Sequence, residues 1–231
     1  MRFKKLKGYI TVPIAAILLA GCAADKLSQP KQTGFLTSSE YHRLEEVASP
    51  TPGVQIFRYV STDFKRTNWK GLMIDPIILY QTVLQDVDGK DRLTEEIIYQ
   101  TRMKLDKELT RRIQERTKIV DQPGPHIGRL TVAITGADVE ADSFKPWNAL
   151  PVSAVLFAAK KASGLDVKTP SLVVEAKFRD SLTGTVLSDG VYIMSGETFR
   201  LESNSIEAFQ KLAINWVTTA IKVGSAETMV K

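Results

Sequence analysis

Residues 172–194 read LVVEAKFRDSLTGTVLSDGVYIM, and this stretch decides the fold. Its first part alternates between apolar and polar side chains, as in a strand with one buried face. The positions expected to face the core are Leu172, Val174, Ala176 and Phe178. Those expected to face outward are Glu175, Lys177 and Arg179. Residues 180–184 have turn chemistry, so residues 185–194 are predicted to pair back as a hairpin.

The remaining elements are read outward from this hairpin. Strands are predicted at 54–60, 69–74, 118–120 and 129–139, with an extended stretch at 77–84. A short helix or turn is expected within 37–47, a long helix at 93–116 and a last helix opening at Asn204. The order β-β-α-β-β-α-β-β-α predicts an α/β fold of the α+β kind. We expect a single mixed, mainly antiparallel sheet with two or three helices packed on it.

The N-terminus has the pattern of a bacterial lipoprotein signal peptide. A basic start with four Lys and Arg is followed by the apolar run 8–20, which is too short to span a bilayer. Small residues then precede Cys22 in Leu19-Ala20-Gly21-Cys22, a lipobox. The alternative is a short uncleaved anchor with an incidental cysteine. The pattern predicts that residues 1–21 are removed and that the Cys22 thiol takes the lipid, the palmitate-bearing anchor.

Removal of the signal peptide changes what the charge composition implies about binding partners. The whole chain has a formal charge of +5, but all four charged residues of the signal are basic. The mature chain therefore carries 27 Lys and Arg against 26 Asp and Glu, so we expect no nucleic-acid partner. Acylation of Cys22, the only cysteine, would leave no free thiol for a disulfide, a metal site or a nucleophile.

Three regions are expected along the chain. Residues 1–21 are the cleaved signal, residues 22–52 carry the lipid, a polar tether and the short helix, and residues 53–226 form a single periplasmic domain.

Catalytic motifs are sparse. The two histidines, His42 and His126, have no partner at ligand spacing, so we expect no metal, no cofactor and no catalytic residue. Asp180 and Thr183 could offer oxygens to a cation, but a hairpin turn needs the same residue types.

Residues 147–162 are more apolar than a connection between strands requires. Two interpretations stay open: a further helix covering the sheet, or a lip that presents apolar surface to a lipid, a peptide or a protein. Basic residues after an apolar run suit an anionic surface. The candidate binding surface consists of Trp147, Leu150, Val152, Phe157, Lys160 and Lys161.

The order of several short motifs resembles an uncharacterised family of Gram-negative lipoproteins, the domain of unknown function 3313. The motifs include Gly34-Phe35-Leu36, Met73-Ile74-Asp75-Pro76, Pro123-Gly124-Pro125 and Arg179-Asp180-Ser181. The resemblance covers most of residues 33–220 and brings no catalytic residue with it. In Gram-negative lipoproteins an Asp after the lipidated cysteine commonly signals inner-membrane retention. Ala23 stands there in this chain, which implies an outer-membrane anchor facing the periplasm.

These observations favour a tethered periplasmic protein that binds and does not catalyse. We expect an accessory role in envelope assembly, maintenance or transport, with the membrane as partner through the N-terminal lipid and an envelope protein or lipid as ligand. The alternative is a periplasmic hydrolase whose site is assembled from distant polar residues.

Overall fold

A computed structural model describes residues 29–66, 69–80, 92–138, 170–196 and 205–228. The described chain folds as one open sheet with helices. Its strands are β1 Glu45–Val47, β2 Val54–Val60, β3 Gly71–Ile74, β4 Ile78–Leu79, β5 Ile127–Asp138, β6 Ser171–Asp180 and β7 Val186–Ser195. Its helices are α1 Ser38–His42, α2 Thr62–Arg66, α3 Arg92–Gln114 and α4 Ser205–Thr228.

The sheet is mixed and mainly antiparallel. Its order is β1-β2-β7-β6-β5-β3, and β4 also pairs with β5, so that β3 and β4 together form one edge. Among the strands that the structure describes, only the pairs β3–β5 and β4–β5 are parallel. The predicted fold class is confirmed, and so is the hairpin, in which Leu172 lies opposite Met194 and Phe178 opposite Ser188.

Helices α3 and α4 cover one face of the sheet, called here the helical face. The long helix buries side chains at helical spacing on this face, namely Ile97, Thr101, Leu105, Leu109 and Ile113. Helix α4 adds the stripe that the sequence predicted: Phe209, Leu212, Ala213, Trp216 and Val217 are all buried. The inward positions of β2, β5, β6 and β7 complete this core.

Two elements differ from the sequence prediction. Residues 45–47 extend the sheet as β1, where the prediction placed the end of a short helix. Helix α1 ends at His42 with Arg43 as its C-cap, and the pairing of residues 45–47 with β2 takes the chain into the sheet. At 118–120 there is an isolated bridge between Ile119 and Leu72 in place of a strand.

The second face of the sheet is covered by the chain itself. The N-terminal segment (residues 29–44) places Phe35, Leu36, Tyr41 and Leu44 over the sheet, each at most 8% exposed. Beneath them lies an apolar patch of Phe57, Ala133, Val173, Val191 and Ile193. The two sets exclude water from each other, which stabilises the segment on the sheet.

This cover overturns one expectation. Glu175, predicted to face outward into solvent, is 0% exposed. The alternation of β6 is right, but the face to which Glu175 points is covered by the N-terminal segment. Lys177 and Arg179 are half-buried on the same face.

In the described parts of the chain, no helix is both long enough and apolar enough to cross a bilayer.

Candidate functional site

The polar side chains of the second face meet those of the N-terminal segment in one polar cluster. Its members are Thr33, Glu40, Tyr41, Arg43, Glu175, Arg179 and Asp189. Four of them come from the segment and three from β6 and β7. The cluster is the candidate functional site of the described chain.

Glu175 forms the first half of the cluster. Its two carboxylate oxygens accept hydrogen bonds from the hydroxyls of Thr33 (2.6 Å) and Tyr41 (2.7 Å). Burial raises the pKa of Glu175 above its usual range, although these hydrogen bonds act in the opposite direction. Burial, together with the nearby carboxylate, raises the pKa of Tyr41 to about 12. Tyr41 therefore keeps its proton and donates to Glu175 at neutral pH.

Arg179 forms the second half. Its guanidinium donates to Glu40 Oε1 at 2.7 Å and to Asp189 Oδ1 at 2.6 Å, so one cation joins two acids from different elements. Arg43 approaches the other oxygen of Asp189 at 3.6 Å while stacking over the Tyr59 ring. Burial raises the pKa of Asp189, which the charge of Arg179 opposes.

Glu40 links local helix structure to this network. Its second oxygen accepts the backbone N–H of Thr37 at 2.8 Å, while the Thr37 side chain accepts from the N–H of Glu40, completing a capping box. Burial acts to raise the pKa of Glu40, but the Thr37 bond and the Arg179 charge outweigh it and lower the pKa. The same carboxylate thus begins α1 and holds α1 on the sheet.

Beside Glu175 there is little free space. A small recess between Pro30, Lys31, Thr135, Val173 and Ile193 encloses about 10 Å³. That volume accommodates about one water molecule. Both oxygens of Glu175 accept hydrogen bonds from the N-terminal segment, whereas among the described residues Asp189 Oδ2 has only the ion pair with Arg43 at 3.6 Å. These contacts fasten the segment to the sheet.

The hairpin turn explains the other polar candidates. Asp180 Oδ1 accepts from the backbone N–H groups of Leu182 and Thr183 and from the Thr183 hydroxyl. Gly184 has φ of 70°, which favours glycine. The carboxylate is therefore occupied by the turn, as the sequence interpretation preferred.

Neither histidine is a member of the polar cluster, although His42 stands between two members, Tyr41 and Arg43. His42 is exposed on α1, and His126 is exposed in the loop before β5, with φ of 61°. Among the described residues there is no group of three His, Cys, Asp or Glu side chains placed to hold a metal ion.

The residues that the sequence put forward as sites lie outside the described residues. They are the lipidation site Cys22 and the candidate binding surface of Trp147, Leu150, Val152, Phe157, Lys160 and Lys161.

Sequence reasoning missed the polar cluster, although a signal was present. Residues 172–174 and 191–194 are continuous apolar runs in a hairpin, a pattern typical of strands buried on both faces. A charged residue next to such a run, as Glu175 is, faces a covered surface. Further along β6, apolar and polar residues alternate as in a strand with one exposed face, and this alternation concealed the signal.

Several solved structures match the chain with little sequence identity. A PelC dodecamer from Paraburkholderia phytofirmans is 10% identical, covers 72% of this chain and 96% of its own, and has a TM-score of 0.37. Protein XCC0632 from Xanthomonas campestris is 11% identical over 70% and 86%, with a TM-score of 0.37. A putative neuraminyllactose-binding hemagglutinin homolog from Helicobacter pylori is 12% identical over 69% and 84%, with a TM-score of 0.31.

No curated protein matches the chain. A family model does match, over residues 31–219, from the N-terminal segment through most of α4. The match includes every member of the polar cluster. The chain belongs to the family described as protein of unknown function (DUF3313).

Proposed function

We propose that this protein is a lipid-anchored periplasmic lipoprotein with a non-catalytic, accessory role in envelope assembly, maintenance or transport. The lipobox that ends at Cys22 supports the anchor, and Ala23 supports the outer membrane as its destination. The signal peptide would be removed and the mature chain would begin with the acylated cysteine.

One observation carries the proposal: the segment that follows the lipid is part of the folded domain. Phe35, Leu36 and Tyr41 are buried on the sheet. The polar cluster also holds the segment there, through hydrogen bonds from Tyr41 to Glu175 and from Arg179 to Glu40. Seven peptide steps separate Cys22 from Gln29, the first described residue, which allows a span of at most about 25 Å. The domain would therefore be held close to the membrane surface.

The buried acids support a structural role over a catalytic one. Glu175 and Asp189 have raised pKa values, a property of many catalytic carboxylates. Here both lie under the N-terminal segment and are held by Tyr41, Thr33 and Arg179. Their position suits a structural role, in which they fasten the N-terminal segment to the sheet.

Labelling and fractionation of cells test the anchor. Wild type should incorporate labelled palmitate and sediment with the outer membrane, whereas Cys22→Ser should do neither, because it lacks the sulfur that takes the lipid. Ala23→Asp is the matched sorting variant. It should keep its lipid and move to the inner membrane. Palmitate incorporation by Cys22→Ser would contradict the proposal.

Cross-linking of intact envelopes tests the accessory role. We expect Trp147→Ser with Leu150→Ser to weaken capture of an envelope partner while leaving the fold intact. The matched control is His42→Ala with His126→Ala, which should capture the partner as wild type does. If the Trp147 and Leu150 variant captured the partner as well as wild type does, that stretch would not be the contact surface.

A further inference from the structure

Side chains supply the contacts that hold the N-terminal segment on the sheet. The hydroxyls of Thr33 and Tyr41 donate to Glu175, and the guanidinium of Arg179 donates to Glu40. Around these polar contacts, apolar side chains of the segment pack on the apolar patch of the second face. The segment is thus attached to the sheet at a series of separate points along its length.

The backbone hydrogen bonds of α1 stay inside the segment. The N–H groups of Glu40 and Tyr41 donate to the carbonyl of Thr37. Those of Arg43 and Leu44 donate to the carbonyls of Glu40 and Tyr41. Among the described residues, the first ladder that the chain enters is the pairing of β1 with β2. The segment is therefore joined to the sheet through side chains, whereas the strands are joined to one another by ladders.

The segment crosses the strands of the second face. Pro30 lines the recess over β5, β6 and β7. Further along, Phe35 packs edge-on against Tyr80, next to β4, with ring centroids 5.7 Å apart. Arg43 then approaches Asp189 of β7, and the chain enters β1 at the other edge of the sheet. A pull on the chain before Pro30 therefore reaches these contacts one after another, and reaches them before any ladder.

We propose that the N-terminal segment is a releasable extension of the tether. When a partner draws the domain away from the membrane, the segment separates from the sheet and the sheet stays folded. The proposal rests on the proposed lipid anchor, because the load enters the chain at Cys22. Side-chain contacts that are loaded in succession yield at a lower force than ladders and a core that break together, as proteins open in local units of different stability.

Release of the segment changes how far the domain can move from its anchor. With the segment packed on the sheet, the chain from Cys22 to Gln29 spans at most about 25 Å. With the segment released, the chain from Cys22 to Glu45 spans up to about 80 Å. The extension is thus about threefold, and the sheet and its helices keep their structure.

Burial of the apolar patch makes the packed segment the resting state. When the segment leaves, Phe57, Val191 and Ile193 meet water, which is unfavourable. Hydration of the Glu175 carboxylate offsets part of that cost. The apolar contacts therefore return the segment to the sheet once the load falls, and release is reversible.

Pulling the full chain in optical tweezers tests the proposal. The chain is made without export, so that Cys22, its only cysteine, keeps a free thiol for one DNA handle. Leu182→Cys supplies the second handle on the β6–β7 turn, where the side chain is 59% exposed. We expect a first, reversible lengthening of about 4–5 nm, which corresponds to the N-terminal segment. A longer step should follow at higher force, when the sheet unfolds.

Two variants in the same background identify the first step. At a fixed force, Tyr41→Phe should speed the first lengthening severalfold and leave the second unchanged, because it removes the hydroxyl that donates to Glu175. Tyr99→Phe is the matched control, since it alters an exposed ring on α3, and it should change neither step.

Lengthening in a single step would overturn the releasable segment, and so would a first step that Tyr41→Phe leaves unchanged. Either result would leave the lipid anchor standing. Wild type that incorporates no palmitate in cells would overturn both proposals.

Discussion

At the scale of single residues, the Tyr41 hydroxyl links Glu175 of the sheet to Thr33 of the N-terminal segment. Its hydroxyl donates to Glu175 at 2.7 Å and receives the backbone N–H of Thr33 at 3.0 Å. Both bonds are withdrawn from water, because Tyr41 is 1% exposed. Removing the hydroxyl therefore leaves a buried acceptor without its donor.

We predict that Tyr41→Phe lowers the free energy of unfolding by about 1–3 kcal/mol, the cost of an unsatisfied buried polar group. Tyr99→Phe is the matched control, since that ring is 47% exposed on α3. It should change stability by less than about 0.5 kcal/mol. Urea unfolding of the three proteins measures the effect. Equal stability of Tyr41→Phe and wild type would show that the hydroxyl bonds do not hold the segment.

Glu175 should make stability depend on pH in a defined direction. Its pKa is raised from the usual 4.5, so the folded state binds the proton more tightly than the unfolded chain does. The contribution of Glu175 to the free energy of unfolding must then fall as pH rises from about 4.5 through the raised pKa. Glu175→Gln has no proton to lose at this position and lacks that decrease.

The measurement is urea unfolding of wild type and Glu175→Gln at pH 4 and pH 7. We expect wild type to lose stability relative to the variant as the pH is raised from 4 to 7. Asp189, whose pKa is also raised, is present in both proteins and cancels from the difference. A wild type that gains stability over the variant as pH rises would contradict the assignment.

At the scale of elements, the N-terminal segment acts as a cover for the sheet. It buries Phe57, Val191 and Ile193 on the second face and supplies partners to Glu175 and Asp189. Helices α3 and α4 thus cover one face of the sheet. The N-terminal segment, which is irregular apart from the short helix α1, covers the other.

A chain that begins at Gln29 should therefore be as stable as the mature protein. A chain that begins at Glu45 should melt at a clearly lower temperature and bind a hydrophobic dye, because its apolar patch and two buried acids are uncovered. Thermal unfolding and dye fluorescence check both chains. Identical melting of the two, without dye binding, would mean that the segment contributes nothing to the fold.

The elements that periodicity specifies were predictable. Strand β2 coincides with residues 54–60, and α3 buries Leu105, Leu109 and Ile113 as its spacing requires. A short helix or turn within residues 37–47 was also predicted, and α1 lies there. The strand β1 was not, because its pairing with β2, in which Glu45 lies opposite Arg58, is a tertiary contact. Short elements carry too few residues for a periodic signal to outweigh such pairing.

At the scale of the whole molecule, the fold class was predictable and the polar cluster was not. A hairpin with a clear turn fixes an antiparallel sheet, but nothing local to β6 says that Glu175 will meet Thr33 and Tyr41. That meeting joins residues more than 130 positions apart. The lipobox, by contrast, is a local pattern. The proposed anchor therefore rests on sequence alone, whereas the packing of residues 29–44 on the sheet is seen in the structure.

The central claim is that residues 29–44, which follow the proposed lipid anchor, are part of the folded domain. Hydrogen–deuterium exchange of the mature lipidated protein tests it most directly, at the backbone N–H groups of Glu40, Tyr41, Arg43 and Leu44. These groups bond to the carbonyls of Thr37, Glu40 and Tyr41 in α1. We predict slow exchange there, close to that of the amides in β6 and β7. Exchange at the rate of an unfolded peptide would contradict the account.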